Sequence, residues 1–341
     1  MAAILNSTPV EQWLYPTPAG LYCEPADTFV DPARGMPKSI ITHAHADHAR
    51  PGSDAVLATV ETIAIMQTRM GADCAGAFET AAYGAAQRIG DVEVQLVPAG
   101  HVLGSAQVVL TYAGSRVVVS GDYKRQHDPT CAPFELVQCD LFITEATFGL
   151  PVFRHEDPAA EVEKVFTSLR QFPDRTHIIG VYGLGKCQRL IRVMRDAGYD
   201  KTIWLHGALM AVTELYEELG IALGPVAHVK DAETKLPGEI VMCPPSAVQD
   251  RWSRRFQDKL AIFASGWMRV RGRARQRGVE LPLIISDHVD WPDLLRTIRE
   301  TGAGEVWATH GREDALIHQL GLMGLTGRAL RLVGREDEEA S

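Results

Sequence analysis

The run His43-Ala44-His45-Ala46-Asp47-His48 constrains this chain more than any other stretch. It follows Ser39-Ile40-Ile41-Thr42, an apolar and β-branched run that reads as a buried strand ending where the histidines begin. On extended chain, side chains two apart project the same way, so His43 and His45 share a direction. Asp47 and His48 come where the backbone must turn. One loop therefore offers His43 and His45 to one metal ion, and Asp47 and His48 to a neighbouring one. Imidazole with carboxylate suits zinc, manganese or iron rather than calcium. Three histidines and an aspartate in six positions, from a chain with 12 histidines in 341 residues, are not the composition of a chance polar loop.

A two-metal site needs more donors than one loop holds. Three later segments place histidine or aspartate just past an apolar run, where a sheet delivers side chains to its edge. His101 follows Val94–Gly100, Asp122 follows Val117-Val118-Val119-Ser120-Gly121, and His310 follows Val306-Trp307-Ala308-Thr309. Each alone is an ordinary cap or turn residue. Together with the hexapeptide they complete two coordination shells.

A length of 341 residues allows one large domain or two moderate ones. No apolar run approaches the roughly 20 residues of a membrane-spanning helix. Met1 to Gly20 has no basic segment leading into an apolar core, so the expectation is a cytoplasmic protein with no signal peptide and no membrane partner. Cysteines 23, 74, 131, 139, 187 and 243 are scattered with no Cys-x-x-Cys pair, which predicts reduced thiols rather than a disulfide or structural zinc framework. The net charge of −9 argues against bulk affinity for nucleic acid, but its distribution is uneven. Between Arg251 and Arg277 stand eight arginines and one lysine against Asp258 alone, a local +8 that leaves −17 for the rest. Such a strip directs a polyanion to one face. A solvated helix face, or arginines paired with acids elsewhere, fits the charge count equally well.

Strand-like runs fall at 28–30, 39–42, 55–59, 92–97, 106–112, 116–120 and 140–144, with a helix near 60–70. Residues 106–112 and 116–120 flank Ala113-Gly114-Ser115 and predict a hairpin. Beyond Pro158, which opens a helix to about 170, strands near 177–182, 202–205 and 239–243 alternate with helices at 186–197 and 208–219. Strands near 260–264, 282–286 and 305–309 follow, with helices near 291–301 and 312–321. Boundaries are expected near Gly149-Leu150-Pro151 and in the arginine-rich region after 250.

The hexapeptide with His101, Asp122 and His310 resembles the metallo-β-lactamase superfamily, and within it the β-CASP nucleases. The resemblance covers nearly the whole chain. It implies an α/β fold, an αββα sandwich in two parts (1–150 and 256–341) interrupted by an α/β β-CASP insertion at 151–255. It assigns His43, His45 and His101 to one metal, Asp47, His48 and His310 to the other, and Asp122 of Ser-Gly-Asp-Tyr as the bridge. Glu145, ending Leu141-Phe142-Ile143-Thr144-Glu145, and His288, in Ser286-Asp287-His288-Val289-Asp290-Trp291, resemble further nuclease motifs. Gly183-Leu184-Gly185-Lys186 resembles the family's turn before a helix. Its backbone N–H groups and Lys186 suit a phosphate, although an ordinary strand-to-helix turn has the same sequence. His206 reads as structural. Either Asp27 or Asp31 is placed to orient a ligand histidine.

The run from Ile41 to Arg50, the Ala-Ser-Gly-Trp-Met stretch at 264–268 and the arginines after it are similar to the bacterial ligase-associated DNA exonucleases. That resemblance implies two divalent ions, zinc first and manganese second. It implies hydrolysis of phosphodiester bonds by a metal-generated hydroxide, with Asp47, Glu145 and His288 catalytic and with His288 as the acid. Single-stranded DNA is the favoured substrate, with Arg269, Arg271, Arg273 and Lys186 as backbone contacts and a DNA ligase and helicase as partners. The alternatives are an RNA nuclease of the mRNA 3′-end processing type and, further off, a thioester hydrolase.

Overall fold

The computed structural model describes residues 8–232 and 235–332. Two compact units emerge: one runs to Pro151 and resumes at His288, and the other spans Val152–Asp287. In the first, strands β1 (Leu14–Thr17), β2 (Gly20–Cys23), β3 (Thr28–Val30), β4 (Lys38–Ile40), β5 (Ser53–Ala58) and β6 (Ala75–Thr80) form a sheet in sequence order. Its first two pairings are antiparallel and the rest parallel. Helix α1 (Val60–Met70) is the crossover from β5 to β6, and the Thr59 side chain caps it by accepting from the Thr62 N–H.

Strands β7 (Ala86–Ile89), β8 (Val92–Pro98), β9 (Ala106–Tyr112), β10 (Ser115–Val119) and β11 (Leu141–Ala146) begin a second sheet. The predicted hairpin is present, with Tyr112 opposite Ser115 across Ala113-Gly114. The predicted boundary at 149–151 coincides with the chain's exit from this unit.

The second unit contains α2 (Pro158–Gln171), β12 (Thr176–Gly180), α3 (Lys186–Asp196), β13 (Ile203–Leu205), α4 (Gly207–Glu218), β14 (Val226–His228), β15 (Ile240–Cys243), β16 (Lys259–Ala264), α5 (Arg271–Gln276) and β17 (Leu281–Leu283). Among the described residues its strands pair only in parallel, in the order β14-β13-β15-β12-β16-β17. Here the expected boundary at 255 is corrected. By that expectation residues 256–287 belong to the C-terminal part of the sandwich, but β16 and β17 extend the sheet of the second unit, because β16 pairs with the whole length of β12.

From His288 the chain adds α6 (Trp291–Thr301), β18 (Glu305–Gly311), α7 (Glu313–Leu322) and β19 (Thr326–Ala329) to the first unit. The second sheet is then β19-β18-β11-β10-β9-β8-β7. The alternation of its strands sorts their side chains onto two faces. Val94, Leu110 and Trp307 meet Leu14, Leu21 and Ile40 of the first sheet, so the two sheets pack face to face. Phe142, Val118 and Val306 point the other way, under Leu294, Ile298, Leu316 and Leu320 of α6 and α7. This is the α/β sandwich of the metallo-β-lactamase type.

Candidate metal centre

Past β4 the backbone from Thr42 to Ala49 is a largely buried loop. The N–H groups of His48 and Ala49 donate to the His45 carbonyl at 3.1 and 2.8 Å, making the turn that carries Asp47 and His48. Arg69 of α1 donates to the Ala44 carbonyl and fixes the loop from another side. Across from it, the chain leaving β10 passes Gly121, at φ 56°, before reaching Asp122. A Cβ at Gly121 would stand 2.8 Å from Cβ of Thr42, so only glycine lets the Asp122 backbone come this close to the loop.

Four side-chain atoms converge. His43 Nε2 and His101 Nε2 lie 3.1 and 3.0 Å from His45 Nδ1, and Asp122 Oδ2 lies 3.5 Å from His43 Nε2 and 3.8 Å from His101 Nε2. Donors about 2.0–2.1 Å from a tetrahedral ion stand about 3.3 Å apart, which is the spacing seen. A second group adjoins the first. Asp47 Oδ2 lies 3.4 Å from His48 Nε2 and 3.5 Å from His310 Nε2, and His48 Nε2 is 3.4 Å from Asp122 Oδ2. The same Asp122 oxygen therefore stands at ligand spacing from His43 of the first group and His48 of the second.

The surrounding hydrogen bonds set which ring nitrogen faces inward. His48 Nδ1 donates to Asp31 Oδ2 at 2.7 Å, and the Thr42 hydroxyl donates to the same oxygen at 2.7 Å. Having given its proton to Asp31, that hydroxyl accepts from His43 Nδ1 at 3.1 Å. Both imidazoles thus turn Nε2 inward, as an orienting carboxylate does for metal-bound histidine. Asp31, rather than Asp27, takes this place. Asp27 is exposed and is held by the Tyr22 hydroxyl and Lys38.

His310 arrives differently. The β11–β18 register slips between Glu145 and Ala146, leaving His310 as the extra residue of a β-bulge, and its φ is 61°. A bulge re-aims a side chain, and here it turns the imidazole into the site. Gly311 follows at φ 81°, where a Cβ would meet the Ala146 carbonyl oxygen at 2.2 Å.

The buried polar atoms test whether divalent ions fit these donors. His48 Nε2, Asp122 Oδ1 and both ring nitrogens of His310 are buried with no hydrogen-bond partner among the described residues. Such atoms are costly without a counterpart. Burial holds the His43 imidazole well below its ordinary pKa, helped by the neighbouring His48 and His101, so it stays in the neutral form that ligands need. Burial opposes charge on His48 too, but Asp122, Asp47 and Asp31 outweigh it and push that imidazole well above its ordinary value. Burial would raise Asp47 and Asp122, yet the charge of His48 holds both carboxyls below the usual range. The field therefore favours positive charge at this point, and a divalent ion satisfies it. The residues fit a divalent-metal centre.

Beside it, Glu145 is fully buried, accepting from the Tyr123 N–H at 2.8 Å and from His288 Nδ1 at 2.9 Å. His288 Nδ1 is 3.9 Å from Asp122 Oδ2, so the dyad borders the metal ligands. Lys124 donates to the His288 carbonyl at 3.1 Å, a contact that no sequence signal announced. Thr42, which links Asp31 to His43, was visible only as the last residue of a strand.

The expected substrate contacts fare unevenly. Lys186 is buried, with Nζ 3.1 Å from Asp287 Oδ1, so it forms an internal ion pair instead of facing solvent. The Gly185 N–H at the start of α3 already donates to Gln188 Oε1. Arg269 pairs with Glu156 at 2.9 Å, Arg273 lies over the Trp267 ring, and Arg271 is exposed. His206 caps α4, its Nδ1 accepting from the Ala208 N–H at 3.0 Å, as a structural histidine would. The six cysteines are free thiols. Among the described residues no helix is long and apolar enough to cross a membrane.

No family model matches the chain. A protein named probable DNA ligase from Opitutus terrae is 28% identical over 316 residues, 91% of this chain but 30% of that protein. The uncharacterized protein in lig 3′ region of Acidianus ambivalens is 31% identical over 145 residues, 41% of this chain and 97% of that protein. Cleavage and polyadenylation specificity factor subunit 3 of Dictyostelium discoideum is 37% identical over 110 residues, 31% of this chain and 14% of that protein. The chain thus spans under a third of the first of these relatives and far less of the last. A crystal structure of a protein of unknown function from Enterococcus faecalis V583 superposes with TM-score 0.57 at 13% identity, over 86% of this chain and 79% of that one. That last likeness concerns the fold alone. Donors gathered from loops and strand ends of two facing sheets, a parallel α/β unit set into the chain, and these relatives lead to one assignment: the chain belongs to the β-CASP group of the metallo-β-lactamase superfamily.

Proposed function

We propose that the chain is a metal-dependent nuclease that hydrolyses phosphodiester bonds of single-stranded DNA, acting as an exonuclease in repair. The observation that carries this reading is the Glu145–His288 pair set against two adjoining ligand groups, with Asp122 of the first 3.4 Å from His48 of the second. His43, His45, His101 and Asp122 would hold one divalent ion, and Asp47, His48, His310 and Asp122 the other, zinc first by the number of imidazoles and manganese second. Ions bound there supply Lewis-acid charge to phosphate oxygens and bring the pKa of water toward neutrality.

The chain's own residues do the rest. Asp47 orients the attacking water from the edge of the cluster. Glu145 accepts a 2.9 Å hydrogen bond from His288 Nδ1–H and its charge favours the protonated imidazole, leaving Nε2–H to protonate the departing oxygen. The Tyr123 N–H keeps Glu145 from swinging away. Arg269, Arg271 and Arg273 are the proposed phosphate contacts, with Arg269 leaving Glu156 to serve.

DNA is favoured over RNA because the relative that aligns with 91% of the chain is named a probable DNA ligase, which also supports a ligase as partner. The RNA reading has its own support, since proteins named endoribonuclease and cleavage factor align with about a third of the chain. End-labelled single-stranded DNA and RNA of one sequence, incubated with zinc- or manganese-loaded protein and with its Asp122→Ala variant, separate the two. Stepwise shortening of DNA, absent in the variant, is the expected result. Internal cuts confined to RNA would move the chain to the processing reading, and no cleavage of either by metal-loaded protein would end the nuclease reading.

A further inference from the structure

Four arginines of the arginine-rich segment of the second unit carry charge that no described acid pairs. Its nearby acids are already engaged: Asp258 and Glu280 both bind Arg175, at 3.0 and 2.9 Å, Glu156 takes Arg269, and Asp250 accepts from the Arg251 N–H. Arg251, Arg254, Arg271 and Arg275 are exposed and have no ion-pair partner among the described residues. Three further guanidinium groups lie over aromatic rings. Arg255 is 5.6 Å from the centroid of Trp252, Arg273 is 4.0 Å from Trp267, and Arg277 is 4.9 Å from Phe263.

Topology places these groups together. The connections β12 to β13 and β13 to β14 step one way along the parallel sheet, whereas β15 to β16 and β16 to β17 step the other way. Right-handed crossovers put opposite steps on opposite faces. Residues 244–258 and 265–280 therefore share a face that α3 and α4 do not cover. They also touch: Gln249 Nε2 donates to the Arg277 carbonyl at 3.5 Å.

We propose that this face is a binding strip for single-stranded nucleic acid, with the four free arginines on phosphates and the Trp252–Arg255 and Trp267–Arg273 stacks as platforms for unpaired bases. The inference rests on the nuclease reading for its choice of polyanion and goes beyond it by naming a surface and the aromatic groups that would take the bases. Free delocalised cations match a phosphate backbone. Guanidinium–indole pairs suit bases that no partner strand covers, since bases stack on aromatic rings and on arginine planes alike. An acidic protein has no use for the second feature.

The test uses the full-length, metal-loaded protein carrying His288→Ala, so that the strand survives, and a fluorescein-labelled 20-mer of oligothymidine followed by anisotropy across a salt series. Replacing Arg251, Arg254, Arg271 and Arg275 by glutamine is expected to flatten the log–log salt slope by about 3, at about 0.7 per lost contact. Trp252→Leu, which keeps apolar volume in the half-buried position, is expected to weaken binding about 5- to 100-fold through loss of base stacking. Duplex DNA is expected to bind more weakly than the single strand. An unchanged slope in the glutamine variant overturns the strip. Equal binding of duplex with no effect of Trp252→Leu overturns the base platforms, and displacement of the oligomer by polyglutamate at equal charge assigns the face to an acidic protein instead. Cleavage by the chain with its native His288 is scored separately. Strand binding without cleavage ends the nuclease reading and leaves the strip standing; cleavage with the strip variants binding normally does the reverse.

Discussion

The two units handle charge in opposite ways. The first gathers seven ionisable side chains into a dry cluster and leaves several of their polar atoms without protein partners. The second buries cations as well, but each meets an oxygen inside the same unit: Lys186 Nζ lies 3.1 Å from Asp287 Oδ1, and Arg189 donates to the Ser286 carbonyl. A buried carboxylate beside a lysine has its counter-charge within the fold, whereas a cluster of histidines and aspartates is suited to a bound cation. Sequence proximity to glycine turns or strand ends does not separate the two cases, but the identity of the neighbouring side chains does.

That contrast can be broken experimentally. Replacing His288 by alanine removes the proposed proton donor but none of the proposed metal ligands, so turnover should fall about 10²- to 10⁴-fold while elemental analysis still finds the wild-type metal content. Normal turnover would remove His288 from the chemistry. In the second unit, Lys186→Met strands a buried carboxylate, and urea unfolding should register a loss of about 3–5 kcal/mol. A smaller loss with impaired strand binding would instead return Lys186 to the substrate contacts. Asp31→Asn keeps the shape beside His48 but removes the orienting charge, and competition with a chromophoric chelator should show metal affinity reduced about 10- to 100-fold.

The smallest expected effect concerns His177, which is buried between the Ser168 hydroxyl and the Arg175 carbonyl. Burial lowers its pKa below the ordinary value, so the folded state keeps it neutral. Its contribution is present above about pH 6.5 and is lost as the pH falls through the lowered folded value. Melting curves should therefore shift down by a few degrees between pH 7.5 and 5.5, and His177→Asn should flatten that dependence. Equal shifts in both proteins would place the acid sensitivity elsewhere.

What was legible in the chain follows from where the signal is local. The hexapeptide, His101, Asp122 and His310 each follow an apolar run, so strand ends and donors could be read together. Strands β9 and β11 and helices α1 and α6 were legible because their burial pattern writes itself into the periodicity. Strands β6, β7, β14 and β19 were not, since each is partly or wholly exposed and carries little apolar alternation. The boundary at 287 was missed because β16 and β17 are apolar strands that fit either sheet, and only pairing decides. Lys186 read as a surface cation because its partner Asp287 lies about a hundred residues away in the chain. The role of Asp31 depends on a left-handed backbone at φ 44°, which Asp27 shares at φ 46°, so conformation alone gave no choice between them.

The bulge at His310 carries one more consequence. A non-glycine residue held at φ 61° costs about 1–3 kcal/mol relative to relaxed backbone. Glycine or asparagine would sit there more comfortably. A sequence optimised for heat resistance alone would thus drift away from histidine at this point and improve its fold while losing one of the proposed metal ligands. Stability screens that reward such a change would be selecting a sturdier, silent protein.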